Sequence, residues 1–260
     1  MLERRRSSLV PSMASSRLLP CQRARTPQRT IARKPSSRYT RLMAVDKGQQ
    51  FPTIWERIRF SLVVYLLFFG LYIIANRLIA VEACMDFTTA VDHLVPFSPP
   101  MVYPFYLAYL LILTPAAVVT TKRLLYHATL GFSVLVITSC ILFFLVPVHV
   151  PRPTFIPQTL SEQMVAKIYA TDRPVCGFPS LHVSTAILAA LVLWRQRKLY
   201  GLLFMVPALL TSASTLFVKQ HVVFDVAGGV LLASTVDRTI VSGFASGVLK
   251  KKLQGLQLED

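Results

Sequence analysis

Two apolar runs in the second half of the chain, residues 180–194 and 199–218, most strongly constrain its fold. They are joined by a short basic segment, residues 195–198. Apolar runs of this length are typical of helices in a bilayer, and the short connection predicts a helical hairpin. A hairpin returns to the side that it left, so we expect His182 at its entry to lie beside His221 at its exit.

Six apolar runs in total predict an all-α, polytopic membrane protein built as a six-transmembrane-helix bundle. They are residues 60–80, 101–120, 128–148, 180–194, 199–218 and 222–241. The fourth run is short, because fifteen helical residues rise about 22 Å against a hydrocarbon core of about 30 Å. Since Arg195 can extend to the interface at the other end, we expect the end at His182 to lie below the membrane surface.

The basic charge is concentrated in the N-terminal tail. The chain has a formal net charge of +16, and half of its 28 basic residues precede residue 60. We predict a disordered tail over residues 1–50, a membrane domain over 51–245 and a cytosolic-side tail over 246–260. The first tail fits an organellar transit peptide, which we favour, or a cytosolic segment attracted to anionic lipid. Binding of nucleic acid by the membrane domain is not indicated.

Loop charge predicts the orientation of the bundle. If six spans alternate, the basic tail and the basic segments 122–123, 195–198 and 250–252 fall on one side. By the positive-inside rule this side is cytosolic. The segment 149–179, His182 and His221 then lie on the non-cytosolic face. The sequence does not decide whether the membrane belongs to an endomembrane compartment, a plastid or a mitochondrion.

The cysteines leave two alternatives. Cys84 and Cys176 are predicted on the same non-cytosolic side, where they form a disulfide in an oxidising compartment or remain two free thiols. The chain has no Cys-x-x-Cys pair, so a zinc site built from thiolates is disfavoured.

Polar residues gather at the predicted non-cytosolic rim. Ser180 is a candidate N-cap whose helix start favours an anion, and His182 in the first turn could protonate a leaving oxygen; the alternative is an ordinary helix start with an interfacial histidine. His221 and Asp225 are spaced i, i+4, which suits an activated histidine nucleophile or a buried satisfied pair. Arg152 is a candidate phosphate ligand or an ordinary interfacial arginine. Their convergence at one rim favours the functional interpretation.

These motifs resemble a known superfamily. The order Arg152-Pro, then Pro-Ser180-Leu-His182, then a serine followed by His221-x3-Asp225, is similar to the type 2 phosphatidic acid phosphatase and haloperoxidase superfamily. Phe-Pro-Ser-Leu-His with Lys-Gln-His-x3-Asp most resembles the branch related to inositol phosphorylceramide synthases. The resemblance covers roughly residues 86–229.

The resemblance implies a role for each residue. His221 would form a phosphohistidine, Asp225 would orient it, His182 would be the general acid, and Arg152 and Ser180 would bind phosphate. The sequence departs from the superfamily pattern at two cationic positions, occupied here by Leu145 and Thr215, and at Leu181, where glycine is usual. Lys219 is a candidate replacement for one cation, and Arg173 is a candidate for the other.

We therefore predict a lipid phosphatase or phosphotransferase that acts on a phosphorylated lipid or phosphodiester without a metal or other cofactor. Its partners are the lipid substrate and membrane lipids; the oligomeric state is left open. Two other classes stay open: a metal-dependent membrane hydrolase with His182, His221 and Asp225 as ligands, and a non-catalytic membrane transporter or scaffold. An acyltransferase is disfavoured, because its His-x4-Asp spacing differs from that of His221 and Asp225.

The predicted orientation can be tested by cysteine labelling in sealed vesicles. In a cysteine-free background, an impermeant reagent on the non-cytosolic side should label cysteines placed in the loop over residues 149–179 and spare ones placed beside Arg197. Equal labelling of both positions would contradict the orientation.

Overall fold

A computed structural model describes residues 50–243. The predicted N-terminal tail, apart from Gln50, and the predicted C-terminal tail over residues 246–260 lie outside the described residues. The described part is mostly helical with few strands, as the apolar runs predict.

Nine α-helices carry the described fold. They are α1 (Ile54–Leu78), α2 (Ala90–Leu94), α3 (Val102–Leu111), α4 (Thr114–Val118), α5 (Lys122–Leu145), α6 (Leu160–Thr171), α7 (Leu181–Gln196), α8 (Lys198–Phe217) and α9 (Val223–Val236). Short 3₁₀ turns occupy Val81–Ala83 and Pro99–Met101, and a π-helical turn, Asp237–Val241, continues α9. Two short strands, β1 (Met85–Asp86) and β2 (Val148–His149), pair in parallel.

Three of the described helices, α1, α5 and α8, are long and apolar enough to cross a membrane. Helix α7 is apolar but shorter. Three spans are thus supported by length and composition. The total of six spans stays a prediction.

The predicted run 101–120 is not one continuous helix. It forms α3 and α4, separated at Ile112 and Leu113. Pro115 has no N–H to donate to the carbonyl of Leu111, and the Thr114 hydroxyl donates to that carbonyl instead at 2.7 Å. The break at this proline corrects the prediction of one continuous run over residues 101–120.

Helix α7 lies at the centre of the bundle. It packs against α8, α9, α3 and α5, and most of its side chains are buried. Its hydroxyls are satisfied within the helix: the Thr185 hydroxyl donates to the Leu181 carbonyl at 2.8 Å. A helix that is apolar on nearly all sides and enclosed by other helices is typical of the core of a bundle.

The two ends of the bundle differ in charge. At one end Lys122 pairs with Glu56 at 3.1 Å, and Arg195 forms a bidentate ion pair with Asp237 at 2.6 and 2.7 Å. These two basic residues line one cavity of about 660 Å³. The residues proposed for chemistry lie at the other end, which fits the predicted grouping of basic segments on one side.

The α7–α8 hairpin depends on a close approach at Gly201. A Cβ at this position would lie 2.4 Å from Cα of Trp194, a distance that only a backbone shift can relieve. The prediction is that Gly201→Ala lowers the free energy of unfolding by about 1–3 kcal/mol through overpacking.

Thermal or denaturant unfolding in detergent measures this effect. Gly70→Ala is the matched control, because a Cβ on Gly70 has no heavy atom within 4 Å; it should be neutral or slightly stabilising. Equal effects of the two substitutions would contradict the packing argument.

Candidate active site

The loop after α8 presents His221 through a tight backbone turn. Lys219 adopts a left-handed conformation with φ 51°, and the N–H groups of Gln220 and His221 both donate to the carbonyl of Thr215, at 2.9 and 3.2 Å. This turn reverses the chain between α8 and α9 and fixes where the side chains of Gln220 and His221 begin.

His221 is paired with a fully buried carboxylate. Its Nδ1 lies 3.3 Å from Oδ2 of Asp225, which is 0% exposed and also accepts from the Val222 N–H at 3.0 Å. A carboxylate on Nδ1 holds the proton there and leaves the lone pair on Nε2. Gly177 makes room for this pair, since a Cβ on it would meet both Asp225 Oδ2 and the Val148 side chain at 3.0 Å.

His182 lies opposite His221 at the start of α7. Ser180 caps this helix, its Oγ accepting from the Val183 N–H at 3.3 Å, and its own N–H donates to the Asp225 carbonyl at 3.0 Å. The centroids of the two imidazole rings are 5.8 Å apart. The predicted hairpin therefore brings the two histidines together, as the sequence spacing suggested.

An aromatic wall surrounds His182. The rings of Phe68, Phe105 and Tyr109 lie 6.2, 4.6 and 5.5 Å from its ring centre, and the Tyr109 hydroxyl is 3.1 Å from Nε2. The Nδ1 atom of His182 is buried and has no partner among the described residues. A tyrosine in an apolar run gives no signal of its own, so the sequence does not predict Tyr109 as a site residue.

Arg152 is anchored on three sides. Its Nη2 donates to Gln220 Oε1 at 2.9 Å, its Nη1 donates to the Asp172 carbonyl at 2.5 Å, and its guanidinium lies 4.7 Å from the ring centre of Tyr169. Two buried donor atoms at this point, Arg152 Nε and Gln220 Nε2, have no partner within residues 50–243. Unpartnered buried donors are costly, so their presence beside His221 indicates a place for an acceptor-rich ligand.

Asp172 is a site residue that the sequence analysis missed. Its Oδ2 forms an ion pair with Arg152 Nη2 at 3.5 Å. Its Oδ1 accepts two hydrogen bonds, one from the Tyr72 hydroxyl and one from Asn76 Nδ2, the latter at 3.0 Å. Burial raises the pKa of this carboxyl above its usual value, although Tyr72 and Arg152 oppose the shift. The sequence contains one indication of this contact. Tyr72 and Asn76 are four residues apart and therefore lie on one face of an apolar helix, where two polar groups need a polar partner.

The other predicted cations are held by backbone carbonyls. Lys219 Nζ donates to the carbonyls of Asp92 at 3.1 Å and Val95 at 2.6 Å, while it also lines the cavity that contains His221. Arg173 Nη1 donates to the carbonyls of Asn76 and Arg77 at the end of α1. Phosphate binding by Lys219 and by Arg173 stays a prediction.

The two departures from the superfamily pattern leave no cation in their places. Leu145, at the end of α5, is 70% exposed. Thr215 is buried, and its hydroxyl donates to the Ser212 carbonyl at 2.7 Å. The positive charge close to His221 therefore comes mainly from Arg152 and Lys219.

One cavity lies on each side of the histidine pair. A polar cavity of about 460 Å³ includes His221, Lys219 and Arg152 in its wall. An aromatic groove of about 580 Å³ includes His182 in its wall and has Arg77 and Lys167 among its lining residues. A substrate with one polar and one apolar part fits this division.

The described residues contain no group of three or more His, Cys, Asp or Glu side chains that could hold a metal ion. In the same part of the chain Cys84 and Cys176 are free thiols, and burial raises the pKa of Cys176 to about 12. Of the two predicted alternatives for Cys84 and Cys176, the structure has the free thiols and not the disulfide.

Fold and site together define a helical protein of membrane type with a buried His–Asp pair facing a second histidine. Residues 124–246 match the family model described as the PAP2 superfamily, which supports membership of this phosphatase superfamily. The match spans Arg152, His182 and His221 and just under half of the chain. No curated protein matches the chain. The narrower resemblance to inositol phosphorylceramide synthases stays a prediction.

Asp92 connects the loop after α1 to the start of α9. Its Oδ1 accepts from the Val223 N–H at 2.7 Å, and its Oδ2 accepts from the Thr89 N–H at 2.8 Å. Burial alone would raise the pKa of this carboxyl, but the hydrogen bonds from Thr89 and Val223, with Lys219 nearby, lower it below its usual value.

The structure therefore predicts that Asp92→Ala lowers the free energy of unfolding by about 1–3 kcal/mol at pH 7. Because the folded-state pKa is lowered, the ionised carboxylate stabilises the fold above its unfolded-state pKa of about 3.9, and this stabilisation is lost as pH falls through the folded-state pKa. The gap between wild type and variant should narrow below about pH 4. Thermal unfolding across pH measures it, with Glu82→Ala as control, since Glu82 is exposed and its carboxylate has no hydrogen bond or ion pair in the described chain; a gap independent of pH would contradict the assignment.

Proposed function

We propose that the protein is an integral-membrane lipid phosphatase or phosphotransferase that works through a phosphohistidine at His221. One observation carries the proposal: the Nδ1 of His221 is held by a buried carboxylate, its ring faces a second histidine 5.8 Å away, and each histidine lines its own cavity. An oriented imidazole beside a proton donor is the arrangement that nucleophilic catalysis requires.

In the first step His221 Nε2 attacks phosphorus. A P–N bond forms, the P–O bond to the lipid alcohol breaks, and His182 gives a proton to the leaving oxygen. In the second step water or an alcohol attacks phosphorus, its proton passes to His182, and the P–N bond to His221 breaks. Water yields a phosphatase, and an alcohol yields a phosphotransferase.

Arg152 is the main candidate for phosphate binding, because its Nε–H is buried without a partner in the described chain. Gln220 Nε2 supplies a second such donor. Ser180 places the start of α7 at the site, where free N–H groups favour an anion. We include Lys219 and Arg173 as charges that raise the local potential.

The lipid enters from the bilayer on the non-cytosolic face. This placement rests on the loop charges and on the aromatic groove next to His182, whose rings suit an acyl or alkyl chain. We leave open the organelle, the acceptor and the particular lipid within this proposal.

Activity of purified protein on lipid phosphates and phosphodiesters tests the proposal. The expected result is that His221→Ala abolishes turnover, because it removes the imidazole that forms the covalent bond to phosphorus. His182→Ala should lower the rate about 10²–10⁴-fold for a poor leaving group and less for a good one. Turnover should survive excess chelator and be inhibited by vanadate.

His149→Ala is the matched control. His149 lies on the same end of the protein and lines neither the polar cavity nor the aromatic groove, so its loss should leave turnover near wild type. Full activity of folded His221→Ala on a verified substrate would overturn the phosphohistidine mechanism, and loss of activity with chelator would favour the metal-dependent hydrolase.

A further inference from the structure

Among the Asp, Arg and Lys side chains that line the two cavities containing His221 or bind it directly, three are acidic and three are basic. The acids close to it are Asp92, Asp172 and Asp225, and the bases are Arg152, Arg173 and Lys219. A site meant for a doubly charged anion would be expected to hold an excess of cations, because each extra charge brought out of water needs a partner.

Asp172 accounts for much of this balance. It pairs through Oδ2 with Arg152, the cation with an unpartnered buried donor, and the two side chains are only 17% and 11% exposed. Charges in such a poorly solvated place interact strongly with a ligand bound nearby. The carboxylate of Asp172 therefore reduces the attraction that Arg152 can exert on an anion.

The position of Arg152 does not depend on this carboxylate alone. Its Nη1 is bound by the main-chain carbonyl of Asp172, its Nη2 by Gln220, and its face lies over Tyr169. A change of the Asp172 side chain thus alters the charge on the phosphate site while three other contacts continue to hold the guanidinium.

We infer that Asp172 is a specificity-determining residue, which makes the site favour a singly charged phosphodiester over a doubly charged phosphomonoester. A phosphomonoester carries about −1.5 to −2 at neutral pH, whereas a diester carries a single negative charge. With Asp172 ionised, part of the attraction that Arg152 exerts on the additional charge of the monoester is cancelled. This inference rests on the proposed function and narrows its substrate class.

Two chromogenic probes with the same leaving group test the inference. 4-Nitrophenyl phosphate is a monoester and bis(4-nitrophenyl) phosphate is a diester, and both release 4-nitrophenolate. The ratio of kcat/KM for the two probes, compared between variants of the purified full-length protein, cancels the intrinsic reactivity of each probe. Phosphatidic acid and a phosphodiester phospholipid in mixed micelles form a second pair.

Asp172→Asn should move the ratio toward the monoester by about tenfold or more, since it removes one negative charge next to Arg152. Gln220→Glu adds a negative charge on the other side of the same guanidinium and should move the ratio the opposite way. This second variant keeps the inference testable if Asp172→Asn fails to fold. Asp86→Asn is the matched control, because Asp86 is exposed and, within residues 50–243, its side chain hydrogen bonds to Thr88 alone.

The opposed shifts separate selectivity from general damage, which would lower both rates together. If wild type is active and neither Asp172→Asn nor Gln220→Glu changes the ratio, or if Asp86→Asn changes it equally, the inference is wrong while the proposed function stands. If wild type turns over none of the four substrates, the proposed function itself fails, and the inference falls with it.

Discussion

The site depends on the hydrogen bonds that the buried residue Asp225 accepts. Its carboxylate accepts from the Val222 N–H at the first turn of α9 and from His221, while its main-chain carbonyl accepts from the N–H of Ser180 at the start of α7. One residue thereby joins two helix starts and the nucleophile. Because Asp225 is fully buried, losing either donor would leave an uncompensated charge, and this cost keeps the two histidines in register.

Arg152 and Asp172 add the second constraint. Both are partly buried, and each limits what the other can do: Asp172 helps to hold the arginine and also weakens its attraction for anions. The spare donors on Arg152 and Gln220 then define where a phosphate oxygen could bind. A substrate with a single negative charge needs fewer cations than one with two. The absence of cations at positions 145 and 215 is therefore compatible with the inferred phosphodiester substrate.

Much of the architecture could be predicted from the sequence, because apolar length and helix-start chemistry are local signals. The runs that became α1, α5 and α8, the cap at Ser180 and the meeting of His182 with His221 all follow from such signals. The break between α3 and α4 was also locally encoded, in Pro115, but its effect was underestimated.

Contacts between distant segments could not be predicted in the same way. Asp172 meets Tyr72 and Asn76 about a hundred residues away, and the amine of Lys219 meets carbonyls more than a hundred residues earlier. No periodicity or motif fixes these pairings, since they depend on how the loops cover the ends of the helices. The charge balance of the site is therefore visible only in three dimensions.

Trapping of the covalent intermediate tests the central claim most directly. The protein is mixed with a lipid substrate labelled with ³²P at the phosphate that is transferred, quenched in alkali within a turnover, and mapped by peptide sequencing. The account predicts an acid-labile, alkali-stable label on His221 that is missing from His221→Ala and that decays when water or an alcohol acceptor is allowed to react. Rapid turnover with no labelled protein, or a label on another residue, would contradict it.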